Sequence, residues 1–374
     1  MVGNMIRGLI LATIAGVIMS ASPGSSQTPP ADDLPRTTLA EAGFAPDLGE
    51  RLDAGVCDGR FENLHAVLVM RGGKLVLERY YEGKVERWGR PRGRVTFGPD
   101  ELHDLRSITK SVVGLLYGIA LAEGEVPPPN GSLIEQFPEY PDLPANSMRR
   151  RMTVAHALSM MLGMEWNEEL SYDPRNSEYV MELADDRYRF ALDRPMVSEP
   201  GTQWVYNGGA TALLGRLIAK GSDRSLRDYA EKKLLAPVGI AEFEWVQGRD
   251  GEFSAASGLR LRPRDLAKIG QLVLDGGRWK GRQVVPADWL ELSFRTRAKV
   301  NDMVDYGYHW WLGPQPANGQ RWVAAIGNGG QRLAVMRRLD LVLVVMAGNY
   351  NQADAVNLPV AIITEFVIPA LRRE

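Results

Sequence analysis

Strand-like sequence stands at both ends of this chain and mostly helical sequence fills the stretch between, so the two ends must meet to complete one sheet. Near the start, residues 65–71 (HAVLVMR) and 74–83 (KLVLERYYEG) are joined by Gly72-Gly73. A tight primed turn needs positive φ at both central positions, and a glycine pair supplies it, so this spacing predicts a β-hairpin. A helix over 46–56 precedes it. Near the other end, residues 322–331 (WVAAIGNGGQ), 332–338 (RLAVMRR) and 339–349 (LDLVLVVMAGN) give three more strand-like runs. An apolar segment over 355–371 then reads as a closing helix despite Pro359 and Pro369.

Between the ends, residues 107–121 place Ile108, Val112, Leu115, Leu116 and Ile119 on one stripe at helical spacing. A second helix runs from a Thr153 cap through His156 and Leu158 to a stop at Gly163. Further helices are expected over 210–220, 226–235 and 263–275. The reading is an α/β (α+β) fold: an antiparallel sheet flanked by helices, built from both chain ends, plus an inserted, mostly helical lobe and a cleft between them. The expected boundaries are 38–105 with 240–374 for the sheet domain and 106–239 for the helical domain.

The first 22 residues carry Arg7, an apolar run over 9–19 and small residues Ser20, Ala21 and Ser22, which reads as a secretory signal, and residues 23–37 as a polar, proline-rich linker. The apolar run is short for a bilayer span, and no second one exists, so export without a stable membrane anchor is expected. A net charge of −2 from 44 basic and 46 acidic residues leaves no electrostatic footprint for nucleic acid, and a small-molecule partner fits better. The single Cys57 excludes an internal disulfide. Four scattered histidines form no metal-ligand spacing, so no metal and no cofactor are expected. Oligomeric state is left open.

Three short motifs carry chemistry. Ser107-Ile108-Thr109-Lys110 places a hydroxyl and an amine three residues apart on one helix face, within hydrogen-bonding reach. Serine is a poor nucleophile until something takes its proton, and a lysine can do so where desolvation or a nearby cation lowers its pKa. Tyr206 follows a Glu-Pro-Gly turn and precedes a glycine-loosened helix start, where its phenol could exchange a proton with Ser107 and Lys110; a packed aromatic is the plainer alternative. Residues 326–331 (IGNGGQ) read as a strand stripped of side chains, along which a substrate could lie, with the amides of Gln331 and Ser107 as an oxyanion hole; a bulge or loop is the alternative.

Taken in order, these motifs resemble the serine β-lactamase and penicillin-binding protein superfamily, where S-x-x-K comes first, Y-x-N follows and a K-T-G-like motif lies near the C-terminus. LRSITKSVVGLLYGIALAEG, LSMMLGMEW, EPGTQWVYNGGATALLG, SGLRLRPRDLAKIGQLVLDGG and YGYHWW narrow the resemblance to class C-type relatives, on the 6-aminohexanoate-dimer hydrolase and esterase branch. It covers nearly everything after about residue 37. It implies a β-lactamase/transpeptidase-like fold, Ser107 as nucleophile, Lys110 as its proton partner and Tyr206 as general acid/base. The implied activity is hydrolysis of small amides or esters through an acyl-Ser107 intermediate. Asn207, Asn328, Gly329 and Gly330 are implied substrate-binding residues. Two positions depart from the pattern: the asparagine of Y-x-N falls on Gly208, with Asn207 one step early, and the cation of the strand motif is Asn328. A neutral amide there gives up a charge-assisted contact of about 1.5–3 kcal/mol with a substrate carboxylate. The rivals are therefore a β-lactamase or D-alanyl-D-alanine carboxypeptidase, disfavoured by Asn328, and a cell-envelope binding or sensor module that does not turn over.

Overall fold

The two chain ends share one sheet. In this computed structural model, which describes residues 34–169, 173–314 and 321–372, strands β1 (Leu64–Arg71) and β2 (Lys74–Tyr80) come from the first part of the chain. Strands β3 (Val323–Gly327), β4 (Gln331–Met336) and β5 (Leu341–Ala347) come from the last part. The antiparallel sheet runs from three short strands, Ala298–Lys299, Asp305–Tyr306 and Trp311–Leu312, through β3, β4 and β5 to β1 and β2. β5 pairs directly with β1, Val67 opposite Val345 and Val69 opposite Leu343. The hairpin turn holds Gly72 at φ 60° and Gly73 at φ 70°, the positive values that a primed turn requires. The leader-like segment and all but the last residues of the linker lie outside the described residues.

Both faces of the sheet are covered, which is why β5 reads as an unbroken apolar run with all seven residues buried. On one face, helix α1 (Leu48–Cys57) and a closing helical run over 357–370 pack Leu48, Leu52, Ile362 and Phe366 against Val67, Val69, Leu343 and Val345. The other face meets helices α2 (Ile108–Ala122) and, further along the chain, Pro263–Leu274, whose Gly270 sits against Val342 and Leu333. Residues 35–374 form one compact unit. No helix among the described residues is long and apolar enough to cross a membrane.

Helix α2 is buried on all sides from Ile108 to Ala120, beyond the one-sided stripe expected from spacing, because it lies between the sheet and the helix α3 (Gly208–Ser222). Its glycines let large neighbours close in. The Trp289 indole lies flat on Gly118, where a β-carbon would collide with the ring, and its Nε1 donates to the Gly114 carbonyl at 2.9 Å.

Several local features differ from the sequence reading, among them the helix capped at Thr153, which ends at Leu158, short of the expected stop at Gly163. Residues 326–331 are not one strand: β3 ends at Gly327, β4 begins at Gln331, and the connection holds Gly329 at φ 91° and Gly330 at φ 94°. The closing helix widens into a π segment over Ile362–Val367. A hairpin of Glu82–Arg87 with Arg90–Thr96 had no apolar alternation to reveal it, since its second strand is almost wholly exposed.

Gly118→Ala should destabilise the fold by about 1–3 kcal/mol through overpacking against Trp289. Urea unfolding of the purified variant measures it, and an unchanged midpoint would show that the indole can step aside.

Candidate active site

Ser107 is held by a tight backbone corner. Arg106 adopts φ 51°, a left-handed conformation that a side chain disfavours, between the strand residues His103–Asp104 and the start of α2. Its guanidinium is fixed from three sides: Glu86 at 3.0 Å, Asp104 at 3.5 Å, and the Tyr350 ring, whose centroid is 4.6 Å away. Gly327 passes so close to the Leu105 carbonyl that no β-carbon fits there. Ser107 occupies the N-cap position of α2, but its side chain makes no capping bond, so the hydroxyl stays available. It lies half-buried in the wall of a cavity of about 970 Å³.

Lys110, one turn on, is almost wholly buried, and its ammonium uses all three of its donors. It reaches Ser107 Oγ at 3.1 Å, Glu178 Oε2 at 2.9 Å and the Ala256 carbonyl at 3.2 Å. A second carboxylate, Glu168, stands 3.5 Å away. Burial alone would lower the lysine pKa, but the charges of Glu168 and Glu178 outweigh it and raise the pKa. The lysine therefore rests as an ammonium. The condition under which a lysine takes a serine proton unaided, a lowered pKa, is not met here, because the environment supplies anions rather than a second cation.

The two glutamates form a coupled pair. Burial pushes Glu168 up to about 7, with Lys110 opposing and the Glu178 charge adding to the rise. Burial works against the Glu178 anion too, but Lys110 and the Ser257 hydroxyl, donating at 2.6 Å, hold its pKa below the usual carboxylate value. Glu168 also accepts from Trp166 Nε1 at 2.6 Å and from the Gly208 amide. A β-carbon at Gly208 would run into both carboxylates. The missing side chain at the third position of Y-x-N is thus what makes room for the glutamates beside the lysine.

Tyr206 completes the cluster. Its ring centroid is 4.8 Å from Lys110 Nζ, and its phenol is pushed up to about 12 by burial, with Lys110 and the nearby Ser107 hydroxyl favouring the phenolate. It also packs in an aromatic wall, with centroid distances of 5.5 Å to Trp311 and 6.4 Å to Tyr306. The ring thus packs as an aromatic and at the same time stands beside Lys110. Gln331 lines the same cavity as Ser107, with its side chain turned inward to Ala347, accepting from its amide at 3.1 Å and donating to its carbonyl at 2.6 Å. Asn328, Gly329 and Gly330 also line the cavity, and Asn328 Oδ1 accepts from the Asn351 amide at 2.9 Å. Asn207 does not join them: it is buried and caps α3, its Oδ1 accepting from the Ala210 amide at 2.9 Å. That placement corrects the substrate-binding expectation for Asn207.

Glu168, Glu178, Ser257 and Trp311 escaped the sequence reading. Carboxylates are common in surface sequence, and only the departure at Gly208 hinted that something else fills the space beside Lys110. Among the described residues, no group of His, Cys, Asp and Glu side chains could hold a metal ion.

This fold, with a serine and a lysine one helical turn apart at the cavity wall, is that of the serine β-lactamase and penicillin-binding protein superfamily. The family profile described as beta-lactamase matches residues 61–362, and the chain belongs to that family. It is 26% identical over 326 residues to 6-aminohexanoate-dimer hydrolase of Paenarthrobacter ureafaciens, covering 81% of this chain and 75% of that one. Among solved structures, a putative 6-aminohexanoate-dimer hydrolase from Bacillus anthracis superposes with a TM-score of 0.70 at 20% identity, over 90% of this chain and 86% of that one. EstCE1, a hydrolase with promiscuous acyltransferase activity, gives 0.66 at 12% identity, over 86% and 97%. These structural likenesses bear out the antiparallel sheet flanked by helices.

The raised pKa of Glu168 has a stability signature. Its stabilising contribution is full below the unfolded value of 4.5 and is lost as pH rises through about 7. Relative to Glu168→Gln, the native protein should lose on the order of 1–3 kcal/mol between pH 4.5 and 7 and change little above that. Parallel urea titrations of the two proteins at pH 5 and pH 8 measure this, and an equal difference at both pH values would place the Glu168 titration elsewhere.

Proposed function

We propose that this chain is a serine hydrolase that cleaves small amides or esters through an acyl-Ser107 intermediate. The observation that carries the reading is the meeting of the Lys110 ammonium with the Ser107 hydroxyl and the Tyr206 ring, both of which line one cavity. Ser107 Oγ attacks the substrate carbonyl and forms the new C–O bond. The hydroxyl proton passes to Lys110 as its ammonium hands one of its own protons to the Glu178 carboxylate, and as the scissile bond breaks Tyr206 protonates the leaving amine or alcohol and is reprotonated from Glu178 through Lys110. Water then attacks the acyl ester, the same groups move its proton, and Ser107 is released with the acid product.

Charge developing on the carbonyl oxygen falls to the amides of Ser107 and Gln331, which act as the oxyanion donors. The resting ammonium suits this chemistry in a particular way. It steadies negative charge on Ser107 Oγ, while the Glu168–Glu178 pair keeps a proton exchangeable nearby. The names of two similar proteins, a 6-aminohexanoate-dimer hydrolase and the hydrolase EstCE1, support a hydrolytic reading. The leader-like first 22 residues support a periplasmic or secreted location.

Ser107→Ala should lower turnover of an activated ester by about a thousandfold or more without loss of fold. Lys110→Ala and Tyr206→Phe should each remove most of the activity, and the double variant should be little worse than either, because groups sharing one proton act as a unit. Steady-state kinetics with circular dichroism as the fold control checks this. Full activity in Ser107→Ala, or losses that multiply in the double variant, would contradict the assignment.

A further inference from the structure

Arg332 follows the Gln331 oxyanion residue on β4, lies 5% exposed, and lines the same cavity as Ser107. Among the described residues its side chain makes no hydrogen bond and no ion pair, and its Nε is buried without a partner. Burial lowers its pKa to about 10, and no neighbouring carboxylate counters that fall. A guanidinium held this way is expensive, since a buried charge without a partner keeps the full desolvation penalty. The carboxylates around the cavity are already engaged: Glu178 and Glu168 with Lys110, and Glu182 with Arg187 at 3.3 Å. The other buried guanidinium on the wall, Arg106, is committed to Glu86 and Asp104.

The structure assigns Arg332, we infer, as the recognition site for a carboxylate carried by the substrate. The inference rests on the proposed hydrolase reading for its cavity, and it narrows the substrate class to amides or esters bearing an anionic group at a distance from the scissile bond. It also revises the consequence drawn from Asn328. That position gives up the cation expected in the strand motif, yet a guanidinium stands four residues further on in the same cavity. Guanidinium and carboxylate match as a planar, two-bonded pair, and the pairing gains strength in a site shielded from water. A substrate carboxylate would supply the partner that the protein itself withholds. Neutral esters remain substrates, but they leave Arg332 unpaired and bind less well.

The test uses two ligand series of increasing methylene length: N-acetyl-ω-amino acids, with the carboxylate on the amine side of an amide, and N-methyl monoamides of dicarboxylic acids, with it on the acyl side. Each ligand is paired with its neutral terminal carboxamide, and calorimetric affinities are measured on Ser107→Ala protein so that turnover does not interfere. In one series, at a preferred length, the carboxylate should bind about ten- to a hundredfold more tightly than its neutral twin. Arg332→Met should abolish that ratio while leaving the neutral ligand's affinity in place. Thermal stability should not fall in this variant, because removing an unpaired buried charge relieves a penalty, and Arg332→Lys should keep part of the preference. No preference in either series, or a preference that survives Arg332→Met, overturns the proposal. Because binding is read without Ser107, that result stands apart from failure of the hydrolase reading, which shows as unimpaired turnover in Ser107→Ala.

Discussion

The buried ammonium of Lys110 is the interaction on which the site depends. Its three donors are spent on a hydroxyl, a carboxylate and a backbone carbonyl, and these partners come from widely separated parts of the chain. Such a charge is buried at least cost when every donor is satisfied and an anion stands beside it. That requirement draws the start of α2, the helix that carries Glu178, and the loop at Ala256 to one point. Gly208 is part of the same requirement: as the first residue of α3 it leaves the space that the two carboxylates occupy and gives its amide to Glu168.

The sheet meets a different constraint in the same spirit. β5 lies between β1 and β4, so the first and last parts of the chain are joined inside the sheet, between its sixth and seventh strands, rather than at an edge. The strained corner at Arg106 is braced from this assembly. Gly327 at the end of β3 presses against the Leu105 carbonyl, and Tyr350, just past β5, stacks on the Arg106 guanidinium. The nucleophile's position thus depends on the closure of the two chain ends, which a local reading of the S-x-x-K tetrapeptide does not convey.

Much of this was legible in sequence for physical reasons. The Gly72-Gly73 hairpin, the three late strands and α2 announce themselves because turn chemistry and apolar period are local. Ser107, Lys110 and Tyr206 stood out because their order and spacing resemble a known pattern. The partners of Lys110 did not, since which of many glutamates is buried beside a lysine is decided by tertiary packing. Asn207 misled for the same reason: an asparagine just before a helix serves equally well as a cap, and here it does so. For the glycine-rich segment over 326–331 the sequence leaves strand and loop both open, because its flanks are strands, and positive φ at Gly329 and Gly330 makes its middle a turn. Arg332 drew no notice at all, because an arginine in a strand is unremarkable until its burial and lack of a partner are seen.

The central claim is that Ser107 carries the acyl group, and the chain offers a direct way to look. Arg106 and Lys110 bracket the nucleophile, so tryptic cleavage after each isolates residues 107–110 as a peptide of their own. Acid quenching of the protein during turnover of an activated ester, followed by digestion and mass spectrometry, should find the acyl mass on that peptide or on the longer one left by a missed cleavage, in either case assigned to Ser107 by fragmentation. Acyl mass found only on another segment, or hydrolysis with no covalent adduct at any quench time under conditions where deacylation is slowed, would contradict the account.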